Sequence, residues 1–141
     1  MQAQVLAPAA VLVLWSLFML VWMEAIRFPA MIRSGLDLKA AKPGARGQDL
    51  EGVLPARVQW KAHNYNHLME QPTIYYAAVM ILALTGAQLI DVRLAWAYTI
   101  LRILHSLWQS LVNGMPVRFV LFVLSTFVLI ALSVRAVVVT F

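Results

Sequence analysis

Tyr98, Arg102, His105 and Gln109 follow one another at spacings of four, three and four, with Ser106 beside them. At 3.6 residues per turn, that spacing puts them on one face of a helix. The surrounding stretch, Leu94 to Val112, is otherwise apolar. An ionisable residue in such a run is costly to bury in lipid and marks a site by default. Two uses fit the stripe. It can lock helix to helix by hydrogen bonds, or it can line a pocket for a polar ligand. A guanidinium, an imidazole and an amide on one face favour the pocket.

A second group lies upstream, in Lys61-Ala62-His63-Asn64-Tyr65-Asn66-His67-Leu68-Met69-Glu70-Gln71-Pro72. If this segment is helical, His63, Asn66, His67 and Glu70 fall at i, i+3, i+4 and i+7. Two histidines four apart with a carboxylate suit zinc or iron. Solvation of a helix end is a second reading. A polar small-molecule site shared with the Arg102 stripe is the third and is favoured, so no metal centre is expected. Arg118 stands two residues after Pro116 at the head of the last apolar run; taken alone it is a headgroup anchor. Glu24 can pair with Arg27 one turn away. The five tryptophans read as interfacial anchors or packing.

These residues need elements to hold them, and the composition says which kind. Hydrophobic residues make up 62% of the 141, charged residues 12%, and cysteine is absent. Mean hydropathy is +0.79. A soluble domain averages about 45–50% apolar and about 25% charged, so a water-soluble globule and a disordered chain are both excluded. The net charge of +5 comes from too few groups to build a nucleic-acid groove, and no nucleic-acid partner is expected. Without cysteine there is no disulfide and no thiolate chemistry of the chain's own.

Four apolar runs approach the roughly 20 residues of a membrane-crossing helix. They give expected helices at about 5–26, 63–90, 93–112 and 117–139, in a single membrane domain covering 1–141. Lipid leaves helices as the form for such runs. The intervening 27–62 segment holds ten of the seventeen charges, seven of them basic, along with Pro43, Gly44, Gly47, Gly52 and Pro55. It reads as an irregular cytoplasmic loop under the positive-inside rule. Both termini then lie on the non-cytoplasmic side. Asp91–Val92–Arg93 and Asn113–Gly114–Met115–Pro116 read as tight turns, and Arg135 as a cation snorkelling to the interface.

Topology and motifs together resemble the MAPEG family, the membrane-associated proteins of eicosanoid and glutathione metabolism. Lys61-Ala62-His63 through Pro72 is similar to that family's Arg-Ala-His…Asn…Glu…Pro signature. Arg102-x-x-His105 followed by Pro116-x-Arg118 is similar to its third helix and the turn into the fourth. The resemblance implies an all-α integral membrane homotrimer of four-transmembrane-helix bundles that binds glutathione between subunits as co-substrate. It implies that Arg118 stabilises the glutathione thiolate, with Lys61, His63, Asn66, Glu70, Arg102, His105 and Gln109 as the ligand-binding set. The implied activity is a glutathione-dependent transferase or peroxidase attacking a lipophilic electrophile from the bilayer. A non-catalytic or differently catalytic member holding another polar or lipid-like ligand in the same cleft is the alternative. Several positions depart from the family pattern. Lysine replaces arginine at Lys61, which loses a bidentate fork. Asn66 and Glu70 are four apart where the family's pair is three apart, and without a gap Tyr65 and Leu68 take those places. Gln109 and Phe122 stand where the family has tyrosines. The chain reads as an outlying bacterial-type member in the inner membrane.

Overall fold

The computed structural model describes residues 1–141 as four helices. They are α1 (Gln2–Arg33), α2 (Ala56–Thr85), α3 (Leu89–Leu111) and α4 (Met115–Thr140). Two 3-10 turns, Leu38–Ala40 and Gly47–Leu50, interrupt the long loop between α1 and α2. There is no strand.

The helix ends differ from the apolar runs, and local chemistry explains the differences. α1 runs past Ile26 to Arg33, because Glu24 and Arg27 are polar without breaking a helix and pair at 3.3 Å across one turn. Gly35, with φ +72°, then closes it in the left-handed conformation that glycine adopts without strain. α2 starts at Ala56, seven residues before the expected 63, with Pro55 just ahead of its first turn. It stops at Thr85 rather than 90, where Gly86 turns left-handed at φ +111°. α3 starts at Leu89, so Asp91–Val92–Arg93 is its first turn and not the connection. The Asp91 carboxylate accepts from the Gln88 backbone N–H at 2.8 Å and caps the helix. The true turn is Gly86–Gln88. At the other end of α3, Trp108 Nε1 donates to the Gly114 carbonyl at 2.9 Å and ties the α3–α4 turn to the helix.

Pattern decides which faces meet. Leu12 and Met19 of α1, Leu68, Tyr75 and Leu82 of α2, Tyr98 of α3, and Leu132 of α4 are almost wholly buried together. The Tyr75 and Tyr98 rings stack at 4.4 Å in their midst. The outer surface is apolar, with Leu14, Val21, Leu84 and Phe127 each more than 60% exposed. Apolar area of that extent belongs against lipid or a partner. Two helices, α1 and α4, are long and apolar enough to cross a membrane. α3 is inverted relative to a soluble helix: of its nine buried residues only Ala95 and Tyr98 belong to the hydrophobic core.

A clasp ties α3 to α4. Arg135 Nε lies 2.8 Å from Asp91 Oδ1, and its Nη2 donates to Asp91 Oδ2 at 3.1 Å and to Gln88 Oε1 at 3.0 Å. Arg135 therefore holds a buried carboxylate in the first turn of α3.

Candidate functional site

The α3 stripe lies inside the bundle. Tyr98, Arg102, His105, Ser106 and Gln109 are each at most 2% exposed. Part of the stripe locks helices together. Ser106 Oγ accepts from Trp15 Nε1 of α1 at 2.9 Å and from Asn64 Nδ2 of α2 at 2.7 Å. Tyr98 donates to Gln71 Oε1 at 3.1 Å, and Gln71 donates to Thr126 of α4 at 2.9 Å. The rest of the stripe is less well satisfied. Arg102 gives one hydrogen bond, from Nη2 to the His67 carbonyl at 3.1 Å. Its Nε and Nη1, His105 Nδ1 and Gln109 Oε1 have no protein partner. Both uses of the stripe thus coexist, interleaved along the helix.

The stripe reaches the surface at His105. There a shallow cleft of about 160 Å³ is lined by His67, His105, Met115, Arg118, Phe119 and Phe122. The His67 and His105 rings meet edge to face at 5.8 Å, and His105 lies 6.4 Å from the Phe122 ring. Arg118 donates to Asn113 Oδ1 and, at 3.1 Å, to Met115 Sδ. Both acceptors are neutral, so no carboxylate of the chain cancels its charge. Glu70 is exposed, and its only ionic neighbour is His67 at 3.8 Å. A cation beside an apolar wall, open to the side of the bundle, suits an anion attached to something lipophilic.

The model of the MAPEG family matches residues 5–138. The chain belongs to the MAPEG family. No curated protein and no solved structure matches it significantly.

The site residues implied by the family resemblance fall into separate places within one MAPEG chain. Arg118 and His105 share the cleft, with Arg102 behind them on His67. Glu70 lies at the surface beside His67. Lys61 is turned elsewhere: Nζ donates to the Arg57 carbonyl at 3.0 Å and sits 5.6 Å from the Trp22 ring. Burial and the nearby Arg57 charge hold the Lys61 ammonium below its usual lysine range. His63 pairs with Glu51, which also accepts from Gln59 at 3.4 Å. His63 and Asn66 line a polar cavity under the loop rather than the Arg118 cleft. Gln109 faces the interior without lining either. The four residues share the outward face of α2 but line different places along it, and no three metal-ligating side chains converge.

Sequence reasoning passed over Asn64, Gln59 and the Asp91–Arg135 clasp. Asn64 is fully buried and in phase with Leu68, Tyr75, Val79 and Leu82. A polar residue in the apolar phase of its helix was the available signal. Leu68, one of the two positions that align without a gap to the family's Asn and Glu, is 1% exposed in the core. Tyr65, the other, lines the polar cavity.

Proposed function

We propose that this MAPEG protein is a four-span integral membrane protein of the bacterial inner membrane, with both termini on the non-cytoplasmic side. In this reading it is a homotrimer that uses glutathione to attack a lipophilic electrophile, as a transferase or peroxidase. Arg118 at an apolar-walled cleft, without a carboxylate partner, is the observation that carries this reading. Arg118 stabilises the thiolate over the thiol by Coulomb attraction in a partly desolvated place. Phe119 and Phe122 exclude water and face the incoming lipophile. Catalysis then comes from thiol activation and proximity. The inverted polarity of α3 supports the two less apolar helices as spans, because its polar groups are turned away from lipid.

The residues fit glutathione in part. Arg118, His105 and His67 offer donors for a thiolate and a carboxylate. At about 160 Å³ the cleft of one chain is smaller than the roughly 300 Å³ at which small-molecule sites begin. A second wall is needed, and the exposed Glu70 face of a neighbouring subunit can supply it in a trimer.

The test is glutathione binding by calorimetry, together with the ultraviolet absorbance of bound thiolate. Arg118→Ala should lose the thiolate signal while staying folded. Arg118→Lys should retain part of the affinity and lose most of the thiolate, since lysine keeps charge without the planar fork. If the folded wild type fails to bind, glutathione use is refuted. The second reading, another polar or lipid-like ligand and no glutathione chemistry, is favoured by Leu68. An aliphatic side chain packed in the core there has no carboxylate to hold the tripeptide's ammonium.

A further inference from the structure

Turning a thiol into a thiolate releases a proton, and Arg118 cannot take it, because a guanidinium is already protonated and only donates. Of the side chains around the cleft, His67 and His105 are the two that can accept one. They are held differently. His105 is 2% exposed, and its Nδ1 is buried without a partner. A proton there would add a second cation to the face that already carries the unmet nitrogens of Arg102. The His67 side chain is 40% exposed, and its Nδ1 lies 3.8 Å from Glu70 Oε2.

The His67 ring is placed from several sides. Its backbone carbonyl accepts from Arg102, which fixes that turn of α2 against α3. His105 meets the ring edge to face at 5.8 Å. Glu70, one turn on, is too far for a hydrogen bond but near enough to act by charge. It favours the proton on Nδ1 and leaves the Nε2 lone pair to accept. Nε2 has no hydrogen bond within the chain. The charged and titratable groups facing the ring are Glu70 and His63 from α2, Arg102 and His105 from α3, and Arg118 from α4. A thiolate between Arg118 and His67 adds negative charge to that set, and negative charge is what lets a proton stay on an imidazole.

We propose that His67 is the base that takes the thiol's proton in this cleft, with Glu70 as its positioning residue. The inference rests on the glutathione reading above, but His67 lies outside the ligand-binding set that the family resemblance implies. The S–H bond breaks, its electron pair stays on sulfur beside Arg118, and an N–H bond forms at Nε2. That N–H then donates to the thiolate. As sulfur bonds to the electrophile, the displaced electron pair leaves with a departing group or settles on a neighbouring atom. In the first case His67 passes its proton to water; in the second it protonates that atom.

Counting protons tests this. Glutathione is bound to the full-length protein in mild detergent at about pH 7, where a free thiol is mostly protonated. Thiolate is read from its ultraviolet absorbance, and proton release from calorimetry in buffers of different ionisation enthalpy. S-methylglutathione, which has no thiol proton, gives the background. The wild type should form thiolate and release almost no proton, because His67 keeps it. His67→Gln, at a half-exposed position, should release about one proton per thiolate. It should also form the thiolate about a hundredfold more slowly in stopped flow. Glu70→Gln should fall between the two in rate. A full proton released per thiolate by the wild type, a count that needs no variant to fold, overturns the proposal and leaves the glutathione reading standing. A count and rate unchanged in His67→Gln also overturn it. A wild type that binds no glutathione, or binds it only as the thiol, refutes both.

Discussion

Replacing Arg102 by methionine should stabilise the ligand-free protein. The guanidinium is fully buried and carries five N–H donors. One of its nitrogens, Nη2, donates to a protein acceptor, the His67 carbonyl, while Nε and Nη1 reach none. No carboxylate forms an ion pair with it, because Glu70 sits at the surface beside His67. A buried donor left unmet costs about 1–3 kcal/mol. Against this, the bond to His67 contributes about 1.5–3 kcal/mol as a charge-assisted interaction. Methionine keeps most of the volume, so little cavity opens. Replacing a buried ion pair by apolar residues of similar volume is neutral or stabilising by about 1–4 kcal/mol. At Arg102 the lost His67 bond offsets much of the cost of the two unmet nitrogens, so a gain of about 1 kcal/mol is expected. Arg102→Ala should do the opposite, losing about 2–5 kcal/mol to the void it leaves. Thermal and denaturant unfolding in one detergent, without ligand, would measure both. A wild type more stable than Arg102→Met by 2 kcal/mol or more would refute the reasoning, since the guanidinium would then be well compensated within the fold. A stabilised Arg102→Met that no longer binds ligand would show that the charge is retained for binding at the expense of stability.

Three further outcomes follow from the same geometry. Asp91→Ala removes the cap on the Gln88 N–H and both guanidinium contacts, and should cost about 2–4 kcal/mol; Arg135→Met should also destabilise, and in a double-mutant cycle the two losses should be less than additive. Equal, additive losses would mean the clasp is incidental. Cysteines introduced at Gly47 and Thr85 should be labelled from opposite sides of the membrane in intact cells, Gly47 from the cytoplasm; labelling of both from one side would overturn the orientation. Native mass spectrometry in mild detergent should find a trimer, and a monodisperse monomer with full ligand affinity would rule out a site shared between subunits.

How far the site could be read in advance depended on whether a residue's role was set within one helix or between helices. The α3 stripe was legible because a spacing of four, three and four is itself a face, and all four residues are buried along it. The α2 group does share one helical face, but that face is the outward one within a single chain. Leu68, Tyr75, Val79 and Leu82 define the inward face, and that face contains Asn64, not Asn66 or Glu70. Helix ends failed where a single residue reversed its usual meaning: Pro55 opens α2 instead of only closing the loop, and Asp91 caps α3 instead of forming a turn. No period in the sequence could bring His67 onto His105, 38 positions away, since that meeting depends on how α2 and α3 pack. Nor does a sequence say which polar groups stay unmet. In a bundle whose outside is apolar, inward polar groups have only one another, and most find partners: Ser106 has two, and Tyr98 and Gln71 are chained to Thr126. Arg102, His105 and Gln109 keep unpaired atoms on the same face of the same helix. Of these unmet groups only His105 reaches a cleft, beside Arg118, with Arg102 directly behind it on His67. Unmet donors next to an open, unpaired cation are what a ligand site requires, and that is where one is expected.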